Sequence, residues 1–132
     1  MNKFLALIAA LGLSVALAHT AVTSVTPALN ASVPAPSSVQ LRFSEPVELR
    51  FSTFRVMAVP AGLTPQAAAT AALAEQADSA RLASLPPERA VLAARLTLPL
   101  KAGLKAGAYV VAWKLLSEDG HPVTGLSTFR VR

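Results

Sequence analysis

The sequence predicts an all-β domain, a β-sandwich or Greek-key barrel, interrupted by one Ala-rich helical insertion. Three observations carry this. Short runs of alternating apolar and polar residues recur between turns marked by Pro and Gly. One stretch, Tyr109 to Leu116, is almost continuously apolar, as expected of a central strand covered on both faces. A single segment, from Thr64 to about Leu85, has a helix-forming composition in place of strand alternation.

The chain opens on a leader, not on a strand. Lys3 supplies a positive start, and residues 4–17 are an apolar run of mostly Leu and Ala. That run is shorter than the ~20 residues a spanning helix needs. Ala16 and Ala18 put small residues at a cleavage position, so residues 1–18 read as a secretory signal peptide, removed to leave a single domain over residues 19–132. No second apolar stretch of spanning length follows.

The strands come next. Residues 22–26 are rich in β-branched side chains and end at Pro27. Residues 30–38 contain Pro34 and Pro36 and read as an extended loop. Val39, Leu41 and Phe43 alternate with Gln40, Arg42 and Ser44, a half-buried strand interrupted at Glu45-Pro46. Val47, Leu49 and Phe51 continue the alternation, and the phase reverses near Ser52-Thr53 because Phe54 and Val56 have the opposite parity. A bulge or bend between two strands would produce that reversal. Leu92, Leu96 and Leu98 form another strand, residues 101–107 with two glycines a turn, and residues 127–132 a last strand with Phe129 and Val131 inward.

The insertion, at about residues 60–88, begins with Thr64 as N-cap and Pro65 as first helical residue. Its apolar stripe, Leu73, Ala77 and Leu82, is weak, and the expectation is a helical or partly mobile excursion, solvated and without a function of its own. Trp113, Tyr109 and Met57 read as core residues.

Composition narrows the function. There are no cysteines, which removes thiolate copper(I) chemistry, zinc ribbons and Cys-x-x-Cys redox roles. The formal charge is +5, and removing Lys3 with the leader leaves 11 basic and 7 acidic residues, +4. The cations are scattered rather than gathered in a stripe, with one Trp and one Tyr to stack on bases. Nucleic-acid binding is not expected.

The chain has two histidines, each at a marked position. Cleavage after Ala18 makes His19 the first residue, so its α-amine and imidazole can chelate one ion. His121 lies in Ser117-Glu118-Asp119-Gly120-His121-Pro122. Residues two apart in extended backbone point to the same side, so Asp119 and His121 can converge on one ion. Gly120 permits a tight turn and Pro122 biases His121 toward extended backbone. Amine and imidazole of His19, a carboxylate oxygen of Asp119 and the imidazole of His121 make a four-ligand set suited to one copper(II) per chain. Glu45 is a candidate outer partner, hydrogen-bonding a ligand or its amine. Alone, Asp-Gly-His-Pro is an ordinary turn, His19 a solvated terminus and Glu45 a solvated charge beside a proline. Their coincidence is what points to a metal.

These residues resemble the CopC family of periplasmic copper-resistance proteins. The resemblance runs through Ser24-Val25-Thr26-Pro27-Ala28, Leu41-Arg42-Phe43-Ser44-Glu45-Pro46-Val47, residues 107–125 and Phe129 to Val131. Its most specific part is Gly107-x-Tyr109-x-Val111-x-Trp113 leading into Ser117-x-Asp119-Gly120-His121-Pro122 and Gly125. The resemblance implies an immunoglobulin-like Greek-key fold, periplasmic location, a copper(II) site at His19, Asp119 and His121 with Glu45 nearby, and a CopD-type membrane partner. Some relatives carry a methionine-rich copper(I) site. This chain has no such cluster, and its insertion is longer than the family's usual connection.

The expected function is therefore copper(II) sequestration, transport or resistance without turnover, by a monomer. A histidine-brace oxidase or monooxygenase is the first alternative. Against it, Asp119 would occupy the position oxygen needs, and few aromatics remain for a flat sugar-binding face. A metal-free immunoglobulin-like interaction module is the second.

Overall fold

The computed structural model describes residues 20–87, 91–116 and 120–132. Among the described residues, seven strands form two sheets. β1 (Val22–Thr26), β3 (Ser38–Glu48) and β5 (Leu92–Pro99) make a three-stranded sheet in the order β1-β3-β5. β2 (Ala31–Val33), β7 (Pro122–Val131), β6 (Gly107–Leu116) and β4 (Thr53–Ala58) make a four-stranded sheet in the order β2-β7-β6-β4. The expected sandwich is the observed one.

The core between the sheets follows from alternation. Val39, Leu41, Phe43 and Val47 of β3 are buried on one face, with Leu96 and Leu98 of β5 beside them. They meet Phe54 and Val56 of β4, Tyr109, Val111 and Leu115 of β6, and Phe129 and Val131 of β7. Each such side chain contributes on the order of 1.5–3 kcal/mol by leaving water. The rings of Tyr109 and Phe129, cross-strand partners, stack at 5.4 Å between centroids, and the Tyr109 hydroxyl donates to the Lys105 carbonyl at 2.7 Å. Burial raises the Tyr109 pKa above its ordinary value.

β6 is covered on both faces, as its apolar run predicts. Val110 and Ala112 point away from the sandwich core into a second cluster with Met57, Ala68, Ala69, Ala72 and Leu82. That cluster belongs to the insertion. Helix α1 (Pro65–Ala74) starts as expected, with the Thr64 hydroxyl accepting from the Ala67 amide at 3.1 Å. Its buried face is Ala68, Ala69 and Ala72, not a stripe of large residues. Alanines let the helix lie close on the sheet.

The insertion is thus not the solvated excursion expected of it. After α1 the chain returns along the outer edge of β4. The Ala83 and Ser84 amides donate to the Val56 carbonyl at 2.8 and 3.2 Å, and the Val56 amide donates to Ser84 Oγ at 2.9 Å. Arg55 Nε reaches the Glu75 carbonyl at 3.3 Å, and burial holds the Arg55 pKa below its ordinary value. Ser84 also bridges to Leu100 at the end of β5. An open strand edge is thereby paired and covered.

Three boundaries differ from the sequence reading. Residues 30–38 hold a short strand, β2, which pairs parallel with β7. Three residues show no period, so alternation could not reveal it. The alternation through Leu49 and Phe51 does not continue as strand: Leu49–Phe51 is a 3-10 turn, with Phe51 61% exposed, and it produces the phase reversal before β4. β7 begins at Pro122, five residues before the stretch expected.

Candidate metal centre

β3 is a single strand through Pro46, but its pairing is not continuous. Arg42 faces Arg95 and Val47 faces Ala93, so the ladder to β5 breaks across residues 43–46. Pro46 has no amide to donate there. Glu45 falls in this break. It shares the parity of Val39, Leu41 and Phe43 and is half-buried at the inward side of the strand.

The amino-terminal end of the described chain lies against this break. The Thr20 hydroxyl donates to Glu45 Oε1 at 2.6 Å, across 25 residues of sequence. The Ala21 amide donates to Ser44 Oγ at 2.9 Å and the Ser44 amide donates back to the Ala21 carbonyl at 2.8 Å. Thr20 is 5% exposed. Its covalent neighbour is His19, which lies outside the described residues.

β6 and β7 supply the other half. Their ladder closes at the Leu116–Pro122 pair, directly beyond His121. Gly120 has φ +81°, the left-handed conformation the sequence assigns to a glycine at this turn. His121 is exposed at the mouth of this hairpin. Asp119, bonded to Gly120, lies outside the described residues, so of the expected ligands His121 is the one whose place is described. Among the described residues no three His, Cys, Asp or Glu side chains cluster.

The two halves meet at one end of the sandwich. Thr20 and Leu116 line the same cavity of about 360 Å³, with Pro46, Val47, Glu48, Phe51 and Leu92. The residue after His19 and the strand that leads to Asp119 and His121 therefore share one enclosure beside Glu45. Arg50 and Glu48 form an exposed ion pair at 3.1 Å at its rim. The donor groups described at this end are the imidazole of His121 and the carboxylate of Glu45, nitrogen and oxygen groups of the kind copper(II) takes. Thr20 and Ser44 escaped the sequence reading, because a threonine and a serine carry no signal until cross-strand pairing is known. Glu45 is the outer partner expected from the sequence, and its place in the break of the β3–β5 ladder is visible only in the fold.

Comparison with known proteins agrees with this fold. The CopC domain family matches residues 22–132. Copper resistance protein C of Escherichia coli is 35% identical over 121 residues, covering 89% of this chain and 84% of that protein. Copper resistance protein C of Pseudomonas syringae pv. tomato is 33% identical over 121 residues, covering 90% and 85%. The crystal structure of PcoC, a methionine-rich copper resistance protein from Escherichia coli, superposes with a TM-score of 0.61 at 27% identity, covering 87% of this chain and all of that one. Among the described residues no helix is long and apolar enough to cross a membrane.

Proposed function

This chain belongs to the CopC family of copper resistance proteins, and we propose that it is exported to the periplasm and there holds one copper(II) ion at the end of the sandwich where its two histidines meet. Membership implies copper binding. The ligand set is the proposal: the α-amine and imidazole of His19, a carboxylate oxygen of Asp119 and the imidazole of His121. The observation that carries it is the enclosure shared by Thr20 and Leu116, which brings the chain neighbours of both ligand segments to one place.

Each residue has a role that its chemistry supports. The two donors of His19 close a chelate ring, so loss of one does not release the ion. Asp119 offsets part of the metal charge. His121 supplies a third nitrogen, its imidazole, directly after Gly120, whose φ is +81°. Glu45 takes a hydrogen bond from Thr20 and so steadies the segment next to the leading histidine. The ion is cargo, bound and passed on or stored, with a CopD-type membrane protein as receiver, and no bond is made or broken in a substrate.

A methionine copper(I) site is not part of the proposal. The chain has two methionines, Met1 in the leader and Met57, which is 2% exposed under α1. PcoC, by contrast, is described as methionine-rich.

The test is a copper(II) titration on protein shown by intact mass to begin at His19. One equivalent bound, with nitrogen hyperfine structure in the electron paramagnetic resonance spectrum, is the expected result. No binding would leave a metal-free interaction module, and copper-dependent peroxide or substrate oxidation with ascorbate would make the protein an oxidase.

A further inference from the structure

We infer that Thr20 is a positioning residue for the copper site: its hydroxyl, bonded to Glu45, sets the direction in which the leading histidine leaves the sandwich. The inference rests on the proposed His19 site and adds to it a residue that makes no contact with metal.

The argument starts from register. Ser24, Val25 and Thr26 of β1 face Arg42, Leu41 and Gln40, but Val22 faces Phe43, so β1 is shifted by one residue at Thr23. A one-residue shift turns every side chain beyond it to the opposite face, and bulges re-aim side chains in this way. Continued from Val22, the shifted register sets Ala21 opposite Ser44 and Thr20 opposite Glu45. The hydrogen bonds are consistent with this register: the Ser44 amide donates to the Ala21 carbonyl, the Ala21 amide donates to Ser44 Oγ, and Thr20 Oγ1 donates to Glu45 Oε1. In the unshifted register Thr20 would face Pro46, which offers no amide.

The Thr20 bond is short, 2.6 Å, and its acceptor is a carboxylate, the stronger class of hydrogen bond. The side chain is buried, so water does not compete freely for it. The Cα of His19 is ~3.8 Å from that of Thr20 across one peptide bond. Holding Thr20 on two sides, by its hydroxyl and by the Ala21 ladder, therefore confines where the His19 amine and imidazole can go. A confined donor loses less freedom on binding, which is the source of preorganised affinity.

The experiment compares three mature proteins, wild type, Thr20→Val and Thr20→Ser. Valine keeps the shape and removes the hydroxyl, and serine keeps the hydroxyl. Copper(II) affinity by chelator competition should fall about tenfold in the valine variant and stay within about twofold in the serine variant. In metal-free protein, aminopeptidase removal of His19, followed by intact mass, should be faster in the valine variant only, while amide exchange at Ser44 stays at the wild-type rate. Equal affinities and equal trimming in all three proteins would overturn the inference. So would a serine variant as impaired as the valine one, or a valine variant whose losses come with lost protection at Ser44. Wild-type protein that fails to bind copper would instead sink the proposed site, and the trimming contrast would still decide the role of Thr20.

Discussion

Trp113 lies across the backbone of Gly125, its cross-strand partner. A Cβ added to Gly125 would stand 2.5 Å from Cε2 and Nε1 of the indole, closer than such atoms approach. The glycine in β7 is therefore a space requirement of the ring.

Gly125→Ala should force the indole out of place and destabilise the domain by about 1–3 kcal/mol, the usual cost of overpacking. Urea unfolding followed by Trp113 fluorescence measures both effects, because this is the only tryptophan. An unchanged emission maximum and midpoint would show that the ring has room to move.

Ser84→Ala should cost about 1–3 kcal/mol, because the Val56 amide would lose its acceptor in a buried place. Amide exchange at Val56 should accelerate more than at β6 residues. A variant as stable as wild type would mean that water or a backbone carbonyl takes the place of the hydroxyl.

Copper(II) should raise the melting temperature of protein beginning at His19, since the ligands come together only when folded. At a free concentration about 100-fold above the dissociation constant the stabilisation is about 2.7 kcal/mol, or roughly 10 °C for a domain of this size. Chelator should reverse it. Identical melts with and without metal would exclude a site that joins the two chain segments.

One extra residue ahead of His19 should weaken copper(II) binding at least about tenfold, by taking the α-amine out of the chelate. His121→Ala and Asp119→Ala should each alter the electron paramagnetic resonance spectrum of the bound ion. An affinity untouched by the extension would remove the amine from the ligand set.

Acidification should weaken binding, because protons compete for the amine and imidazole lone pairs that hold the metal. The melting-temperature gain from copper should shrink as pH falls, and proton release should accompany binding in unbuffered titrations. Affinity that is flat with pH would point to ligands other than amine and imidazole.

Much of this molecule is legible along the chain. Alternation at Val39, Leu41 and Phe43 gave the inward face of β3, and the unbroken run from Tyr109 gave a strand buried on both sides. Thr64-Pro65 gave the start of α1. These are local signals, because burial on a strand or helix face repeats with a fixed period. The Leu49–Phe51 turn was misread because three residues of 3-10 geometry can mimic strand parity. The role of the insertion was misread because its buried face is alanine, which has too little side chain to stand out as a stripe.

The candidate site divides in the same way. The two histidines, Asp119, Gly120 and the lack of cysteine are properties of the linear chain, and they point to a metal site without placing its donors. That Thr20 meets Glu45, that the insertion seals the edge of β4, and that Gly125 makes room for Trp113 are decided only in three dimensions. Each depends on strand register between distant segments, and register comes from how whole faces pack, which no short stretch of sequence contains.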